Sequence, residues 1–306
     1  MIFDSSRKLS VLKKTKNSRK IIENHRQNEA STAVLGGAFV VGLSLSWMMT
    51  TNNRNPRSIL ANVEKSVVPS ERQEVSTTKR KKHMRTAIYS FGYNQFGQLM
   101  LGNEADVFTP VKVNFDEKVI SVKASSKTSG VLTANGLIFI AGCGMDGRLG
   151  TGITIPPYTA PDQPNLTLIP RLDSVIQFAL GEFGGAAIRK DGTLMTWGRN
   201  WGGENGRVTD NIPGLPEPIS HTSKIVQVSR GRQHLCFVDE IGCLFSCGIG
   251  REGATGLGSF ENVSRPTRVT GLLETVKIKQ VECTRDSTFA LSDDGRLFSW
   301  GNDDFG

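Results

Sequence analysis

Short apolar runs recur at regular intervals along the sequence, and five of them end in the same pair of glycines, a pattern we call the double-glycine motif. The copies are IYSFGYNQFG (88–97), IFIAGCGMDG (138–147), LMTWGRNWGG (194–203), LFSCGIGREG (244–253) and LFSWGNDDFG (297–306). Their glycines are Gly92/Gly97, Gly142/Gly147, Gly198/Gly203, Gly248/Gly253 and Gly301/Gly306. Two positions after the first glycine come Asn94, Gly144, Asn200, Gly250 and Asp303, residue types that tolerate a left-handed backbone. The motif therefore predicts a strand that runs into a tight turn.

A second pattern alternates with the double-glycine motif and keeps a constant length. It spans 119–136, 175–192, 225–242 and 278–295. Each copy has an apolar start, a second apolar run and a closing Asn-Gly, Asp-Gly or Ile-Gly. This order predicts strand, loop, strand and hairpin turn, leading directly into the next double-glycine motif. Short strands that repeat about every 50 residues indicate an all-β radial repeat rather than one large sandwich.

Several of these phrases resemble the regulator of chromosome condensation repeat, notably LFSWGNDDFG, FALSDDGRLFSWG and YSFGYNQFGQLMLGNEADVFTPVKV. The resemblance covers residues 87–306 and implies a β-propeller, seven-bladed when complete. The sequence departs from the repeat where Phe91, Ala141 and Cys247 replace the tryptophan kept at Trp197 and Trp300. The family's inner histidine is matched only by His234, with Thr128, Gly184 and Ser287 at the equivalent places.

The repeats stop before a full propeller is reached. Four periods end by Gly295, and the fifth ends at Gly306 within its first turn. We therefore expect about four blades and the start of a fifth, with strand edges left unpaired.

The segments between the two patterns vary in length, and the longest lies between Gly147 and Val175. It contains Pro156, Pro157, Pro161 and Pro164. Since proline does not join central strands, we predict a surface loop here and take it as the candidate partner-binding loop.

Three segments precede the repeats. Residues 1–30 carry eight Lys/Arg and resemble a basic targeting segment or tail. Residues 31–51 contain the uncharged run AVLGGAFVVGLSLSWMM and predict one transmembrane helix. The alternative is the apolar core of a signal peptide. Residues 52–86 show no sustained period and predict a linker that contains the basic run 79–82.

The positive charge belongs to these segments and not to the repeats. Residues 1–86 hold 17 Lys/Arg against 6 Asp/Glu, a net charge of +11, whereas residues 87–306 hold 20 against 23, a net charge of −3. The propeller therefore lacks the basic excess that phosphate contacts need, and we expect no nucleic-acid binding through it.

No catalytic, cofactor or metal site emerges from the spacing. The runs Gly142-x-Gly144-x-x-Gly147 and Gly248-x-Gly250-x-x-Gly253 match a dinucleotide fingerprint, but no helical pattern follows either of them. Cys243 and Cys247 form an isolated CxxxC, more typical of small apolar residues in blade cores than of a metal site. His221 and His234 have no carboxylate or cysteine at matching spacing. We expect a protein that is not an enzyme and holds no cofactor.

Charge on the two sides of the predicted span gives an orientation. Eight Lys/Arg precede it, and only Arg54, Arg57 and Lys65 follow within about 20 residues. The more basic flank stays inside, which places the propeller in the intermembrane space if the membrane is the mitochondrial inner one. In the alternative, an endoplasmic-reticulum membrane, the propeller would be lumenal, where one or both of the acceptors Asn165 and Asn262, in predicted loops, would be glycosylated.

Tail, span and repeats together are similar to mitochondrial inner-membrane members of the repeat family. The resemblance implies a membrane-tethered platform that binds protein partners, in the assembly of a respiratory complex such as the cytochrome bc complex. The alternative is a guanine-nucleotide exchange factor for a small GTPase, as in the founding member. A light-sensing relative uses clustered tryptophans, whereas the propeller part has only Trp197, Trp201 and Trp300.

Overall fold

The computed structural model describes residues 3–4, 38–42, 87–152, 160–208 and 214–304. All described residues belong to one compact unit of the chain. Its strands are β1 (Phe3–Asp4), β2 (Ala38–Gly42), β3 (Ala87–Gly92), β4 (Val107–Lys112), β5 (Val119–Ala124), β6 (Thr128–Thr133), β7 (Ile138–Gly142), β8 (Gln163–Leu168), β9 (Val175–Leu180), β10 (Gly184–Arg189), β11 (Leu194–Gly198), β12 (Glu217–Pro218), β13 (Ile225–Arg230), β14 (His234–Asp239), β15 (Leu244–Gly248), β16 (Val263–Arg268), β17 (Ile278–Cys283), β18 (Ser287–Ser292) and β19 (Leu297–Gly301). Three-residue 3-10 helices lie at Met145–Gly147, Arg251–Gly253 and Gly271–Leu273.

The strands form five sheets that follow one another along the chain. Sheet 2 (β5–β8), sheet 3 (β9–β12) and sheet 4 (β13–β16) each have four antiparallel strands in chain order. Sheet 1 contains β3 and β4 with β2 parallel to β3, and sheet 5 contains β17–β19 with β1 paired to β19. The first strands of sheets 2 to 5 contact one another in turn. This confirms the all-β blades, and each of sheets 2 to 4 is built from one copy of the second pattern, one double-glycine motif and a fourth strand.

Apolar residues of adjacent sheets pack together into one cluster at each junction. The cluster between sheets 2 and 3, for example, joins Ile140 and Leu149 to Phe178 and Trp197. Equivalent clusters lie between sheets 1 and 2, 3 and 4, and 4 and 5. Because each blade is narrow, it buries its apolar faces only against its neighbours, as in other repeat folds.

The fourth strands differ from the sequence prediction. The region predicted as a proline-rich surface loop contains β8, which includes Pro164, so that prediction is wrong for Gln163–Leu168. The strand escaped prediction because an edge strand tolerates a residue without a backbone N–H. Asn165 lies in β8 and not in the predicted loop, whereas Asn262 lies in the loop that directly precedes β16, as predicted. The fourth strands of sheets 2 to 4 and the equivalent β4 of sheet 1 each carry one proline: Pro164, Pro218, Pro266 and Pro110.

The sequence predicts a helix over residues 31–51, but within that segment the structure has a strand, β2, at Ala38–Gly42. Hydrogen bonding to the exposed edge of β3 competes with helix formation for this apolar run. Within the described part of the chain, none of the helices has the length and apolar character to cross a membrane. The remaining positions of that segment and the predicted linker at 52–86 lie outside the described residues.

Candidate functional site

The first glycine of each double-glycine motif has a left-handed backbone. The φ angles are +117° at Gly92, +120° at Gly142, +94° at Gly198, +117° at Gly248 and +112° at Gly301. The described second glycines, Gly97, Gly147, Gly203 and Gly253, also have positive φ, while Gly306 lies outside the described residues. These values confirm the strand-to-turn prediction and place the loops after β3, β7, β11, β15 and β19 at one end of the blades.

The position two residues after the first glycine is not left-handed, which corrects the expectation. Gly144 and Gly250 have φ of −82° and −79°. Glycine is required there because backbone carbonyls fill the space a side chain would need: those of Ala160 and Pro161 beside Gly144, and that of Glu261 beside Gly250. Where the residue is Asn200, its side chain is buried and accepts the Asn205 amide at 2.8 Å.

Two junctions between sheets are closed by a tryptophan, and we call them the tryptophan junctions. Trp197 Nε1 donates to the Arg148 carbonyl at 3.0 Å, and Trp300 Nε1 donates to the Ala254 carbonyl at 3.0 Å. Each indole also lies directly against a glycine of the preceding sheet, Gly150 or Gly256. The tryptophans therefore serve the packing of neighbouring blades, and their rings are buried.

The junction between sheets 3 and 4 is different, and we call it the arginine junction. Cys247 replaces the tryptophan there, and burial raises its pKa to about 12. The buried Arg230 donates to the Gly185 carbonyl at 3.1 Å and to Asn205 Oδ1 at 2.8 Å. Burial lowers the pKa of Arg230 to about 10, so the guanidinium stays charged at neutral pH.

Next to the arginine junction, a second arginine lies between two aromatic rings. The Arg199 guanidinium carbon is 3.4 Å from the centroid of Phe183 and 4.7 Å from the ring of Trp201. Arg199 pairs with the fully buried Glu204 at 3.5 Å, and burial lowers the pKa of Arg199. Trp201, by contrast, is 64% exposed. Stacking on the buried Arg199 guanidinium holds the Trp201 ring in one orientation, so its exposed apolar face is presented to solvent in a fixed position.

The surroundings of Trp201 are charged and ordered. Arg148 lies 5.2 Å from the Phe183 ring, donates to the Glu182 carbonyl at 3.1 Å and pairs with Asp146 at 2.6 Å. Arg232 pairs with the Glu182 carboxylate at 3.3 Å. Trp201 and these groups form what we call the Trp201 face, an apolar centre surrounded by paired charges. Protein-interaction sites often have this composition.

Sequence reasoning overlooked Trp201 as a site residue, although one signal was available. In the five double-glycine motifs, the third residue after the first glycine is Gln95, Met145, Trp201, Arg251 or Asp304. Trp201 is the one aromatic residue among them, and a repeat-determined position that departs from its equivalents points to a role outside the repeat.

Two of the four prolines in the candidate partner-binding loop, Pro161 and Pro164, are among the described residues. Pro164 packs against Gly97 of the preceding blade, and the Pro161 carbonyl lies beside Gly144, so both residues serve blade packing. Pro156 and Pro157 lie outside the described residues. The glycine-rich runs that match a dinucleotide fingerprint lead into three-residue 3-10 helices, which cannot provide the helix N-terminus that a pyrophosphate needs.

A third group of polar side chains lies between sheets 4 and 5. His234 Nε2 is 2.9 Å from Thr288 Oγ1, and the thiols of Cys236 and Cys283 lie beside the same hydroxyl at 3.9 and 4.0 Å. Burial, together with the charge of Arg230, lowers the pKa of His234 to about 4. The structure therefore joins His234 to two cysteines that sequence spacing did not connect.

The model of the Regulator of chromosome condensation (RCC1) repeat matches residues 87–132 and 242–291, and a second RCC1 repeat model matches residues 278–306. The human E3 ubiquitin-protein ligase HERC2 is 30% identical over 234 residues, 73% of this chain and 5% of HERC2. The Arabidopsis thaliana RCC1 domain-containing protein RUG3, mitochondrial, is 29% identical over 226 residues, 70% of this chain and 49% of RUG3. A human RCC1-like G exchanging factor-like protein is 29% identical over 217 residues, 64% of this chain and 46% of that protein.

Solved structures show the same fold. Prp20p from Saccharomyces cerevisiae superposes with a TM-score of 0.58 at 22% identity, covering 71% of this chain and 52% of Prp20p. Yeast RCC1 (Prp20) bound to Kap60 gives a TM-score of 0.56 at 21% identity, covering 66% of this chain and 48% of that one. The chain thus spans about half the length of RUG3 and of these structures.

Proposed function

Because the chain belongs to the RCC1-repeat family, we propose that it is a non-enzymatic, protein-binding propeller whose contact surface is the Trp201 face. The observation that carries this proposal is the 64% exposure of an indole stacked on the buried Arg199. Tryptophan and arginine are the residues most enriched among those that dominate binding energy at protein interfaces. Yeast Prp20 supports the proposal by analogy, since it has been crystallised with Kap60 and studied for binding to Gsp1p and histones.

The test is a comparison of two exposed aromatic residues in the full chain. Trp201→Ala is expected to reduce recovery of specific co-purifying proteins at least about tenfold, the effect of losing roughly 1.4 kcal/mol of binding energy. Phe260→Ala is the matched control, because Phe260 is 76% exposed and lies outside the Trp201 face. Equal recovery with wild type, Trp201→Ala and Phe260→Ala would contradict this assignment of the surface.

We further propose that the propeller acts at the mitochondrial inner membrane, in the assembly of a respiratory complex such as the cytochrome bc complex. The relative named mitochondrial and the basic segment at residues 1–30, which resembles a targeting segment, support this. Protease should reach the propeller once the outer membrane alone is opened, and the protein should carry no glycan. A glycosidase-sensitive mass shift would instead place it in the endoplasmic reticulum, and protection until the inner membrane opens would place the propeller in the matrix.

Guanine-nucleotide exchange on a small GTPase is the second candidate, favoured by the name of the human G exchanging factor-like relative. We expect the chain not to accelerate nucleotide release, because no exchange surface is identifiable among the residues that the structure describes. The measurement is release of a fluorescent nucleotide from a panel of small GTPases. A hundredfold stimulation, about 2.7 kcal/mol of barrier lowering, would establish the exchange function instead.

A further inference from the structure

Three metal-ligating side chains converge between sheets 4 and 5. Donor atoms of His234, Cys236 and Cys283 all lie within 4.8 Å of one another. His234 and Cys236 are two positions apart on β14, so both point to the same side of sheet 4, while Cys283 reaches them from the end of β17. His234 and Cys236 are buried and Cys283 is half-buried.

We propose that His234, Cys236 and Cys283 form a binding site for Zn²⁺ that links sheets 4 and 5. Two thiolates and one imidazole are a donor set that Zn²⁺ uses in sites with three protein ligands, where an oxygen takes the fourth position. Thr288 Oγ1, which contacts all three side chains, lies where that oxygen or a water held by it would be.

The charges of this set suit a buried cation. Two thiolates cancel the charge of Zn²⁺, so the loaded site is neutral and avoids most of the cost of burying an ion. The imidazole is already neutral at pH 7, because burial and Arg230 lower the pKa of His234 to about 4. Each thiol gives up its proton to solvent when its sulfur binds the metal, so binding releases two protons and weakens as the pH falls.

The distances require only a small contraction. Sulfur ligands at about 2.3 Å in a tetrahedral site lie about 3.8 Å apart, so the two sulfur atoms, now within 4.8 Å of each other, move together by about 1 Å at most. The Thr288 hydroxyl donates to the Ala254 carbonyl at 2.9 Å, and therefore accepts the Nε2 proton of His234. On binding, Nε2 exchanges this hydrogen bond for the metal and the imidazole proton moves to Nδ1.

The repeat does not explain the two cysteines. The residues equivalent to Cys236 in the other blades are Gly130, Ala186 and Phe289, and those equivalent to Cys283 are Ala124, Leu180 and Arg230. Small, apolar and charged residues thus occupy these two positions in the other blades, so the blade fold does not require cysteine at either of them. Placing the two thiols and the one inner histidine at a single junction adds ligand chemistry that blade packing does not require.

Cobalt titration of the reduced protein tests the site, because thiolate-bound Co²⁺ absorbs in the near ultraviolet and tetrahedral Co²⁺ in the visible. We expect one equivalent of Co²⁺ to give both bands, Zn²⁺ to remove them, and Cys236→Ala or Cys283→Ala to weaken binding at least about tenfold. Cys243→Ala is the matched control and should retain the bands. Absence of the ultraviolet band in the wild-type protein, or its persistence in the variant lacking both cysteines, would overturn the proposal.

A second measurement avoids substitutions that could prevent folding. Wild-type protein is alkylated with iodoacetamide in mild urea, with and without Zn²⁺, and each cysteine is quantified by mass spectrometry. Zn²⁺ should slow alkylation of Cys236 and Cys283 but not of Cys243 and Cys143. Equal protection of all four cysteines would show general stabilisation instead and would contradict the assigned ligands.

Discussion

The junction of sheets 2 and 3 and the junction of sheets 3 and 4 occupy equivalent positions but are held together by different chemistry. At the first, the indole of Trp197 covers Gly150 and donates to the Arg148 carbonyl. At the second, Cys247 stands in the same place, and a charged Arg230 makes the hydrogen bonds between the blades. The repeat therefore fixes the backbone, while the side chains that make the inter-blade contact differ from one junction to the next.

Cross-strand neighbours explain how both solutions fit. Trp197 pairs with Gly185 across sheet 3, and Cys247 pairs with Leu235 across sheet 4. In sheet 3 the large side chain of Trp197 lies opposite a glycine, and in sheet 4 the small side chain of Cys247 lies opposite a leucine. The two pairs therefore fill a similar volume between the sheets. The arginine junction then differs mainly in polarity, because it buries a guanidinium that must keep every hydrogen bond.

Removing the indole is expected to have the largest effect. Trp197→Ala should lower the free energy of unfolding by about 4 kcal/mol, since it opens a cavity at a fully buried site and leaves the Arg148 carbonyl without its donor. Urea unfolding followed by circular dichroism measures this. Trp201→Ala, at an exposed position, is the control and should change stability by less than about 0.5 kcal/mol. Similar losses in the two variants would mean that the buried tryptophan does not hold the junction.

The second-largest effect is expected from acid, which should lower the free energy of unfolding through the junction of sheets 4 and 5. The pKa of His234 is lowered to about 4 in the folded protein, below its ordinary value of 6.5, so the unfolded chain binds the proton more readily. Stability is therefore lost as the pH falls from about 6.5 to about 4, by about 3 kcal/mol. Urea midpoints across this range should fall less steeply for His234→Gln than for wild type. Parallel slopes would show that another group titrates.

Substitution at the arginine junction should lower the free energy of unfolding by less than substitution of Trp197 at the tryptophan junction. Arg230→Met keeps the apolar length but leaves the Gly185 carbonyl and Asn205 without a donor, and should cost about 2 kcal/mol. Arg251→Met, whose native side chain is 83% exposed, is the matched control and should be neutral. A gain in stability for Arg230→Met would show that burying the charge costs more than its hydrogen bonds return.

The smallest expected effect isolates one hydrogen bond of a tryptophan junction. Trp300→Phe keeps a large ring beside Gly256 but removes the bond from Nε1 to the Ala254 carbonyl, and should cost about 1 kcal/mol. Amide hydrogen exchange should show the loss in sheets 4 and 5 and leave sheet 2 unchanged, because repeats couple mainly to their neighbours. Uniform loss of protection across all described blades would contradict that local coupling.

Much of the fold was predictable because the repeat is regular. The constant spacing of the second pattern identified the strands now seen as β5, β6, β9 and β10, together with the hairpins that join them to the third strands. The fourth strands were missed because their prolines and lack of alternation are typical of loops. The strand at Ala38–Gly42 was missed because an isolated apolar run does not distinguish helix from strand.

The candidate sites were less predictable, because their partners are far apart in sequence. Trp197 and its acceptor Arg148 are separated by 49 residues, and Trp300 and Ala254 by 46. Cys236 and Cys283 meet only through the stacking of two blades, which no local motif encodes. Aligning the repeats still marks such positions, since Trp201 and Cys236 each depart from their equivalents.

The single proline in each of β4, β8, β12 and β16 has a consequence for how the chain is made. As sheets 1 to 4 leave the ribosome one after another, each finishes with a strand that lacks one backbone donor on its open edge. Nascent chains on the same messenger RNA hold identical strands at high local concentration, where edge pairing between chains competes with folding. A missing donor interrupts the ladder such a neighbour would need, so each completed blade limits co-translational aggregation before the next one is synthesised.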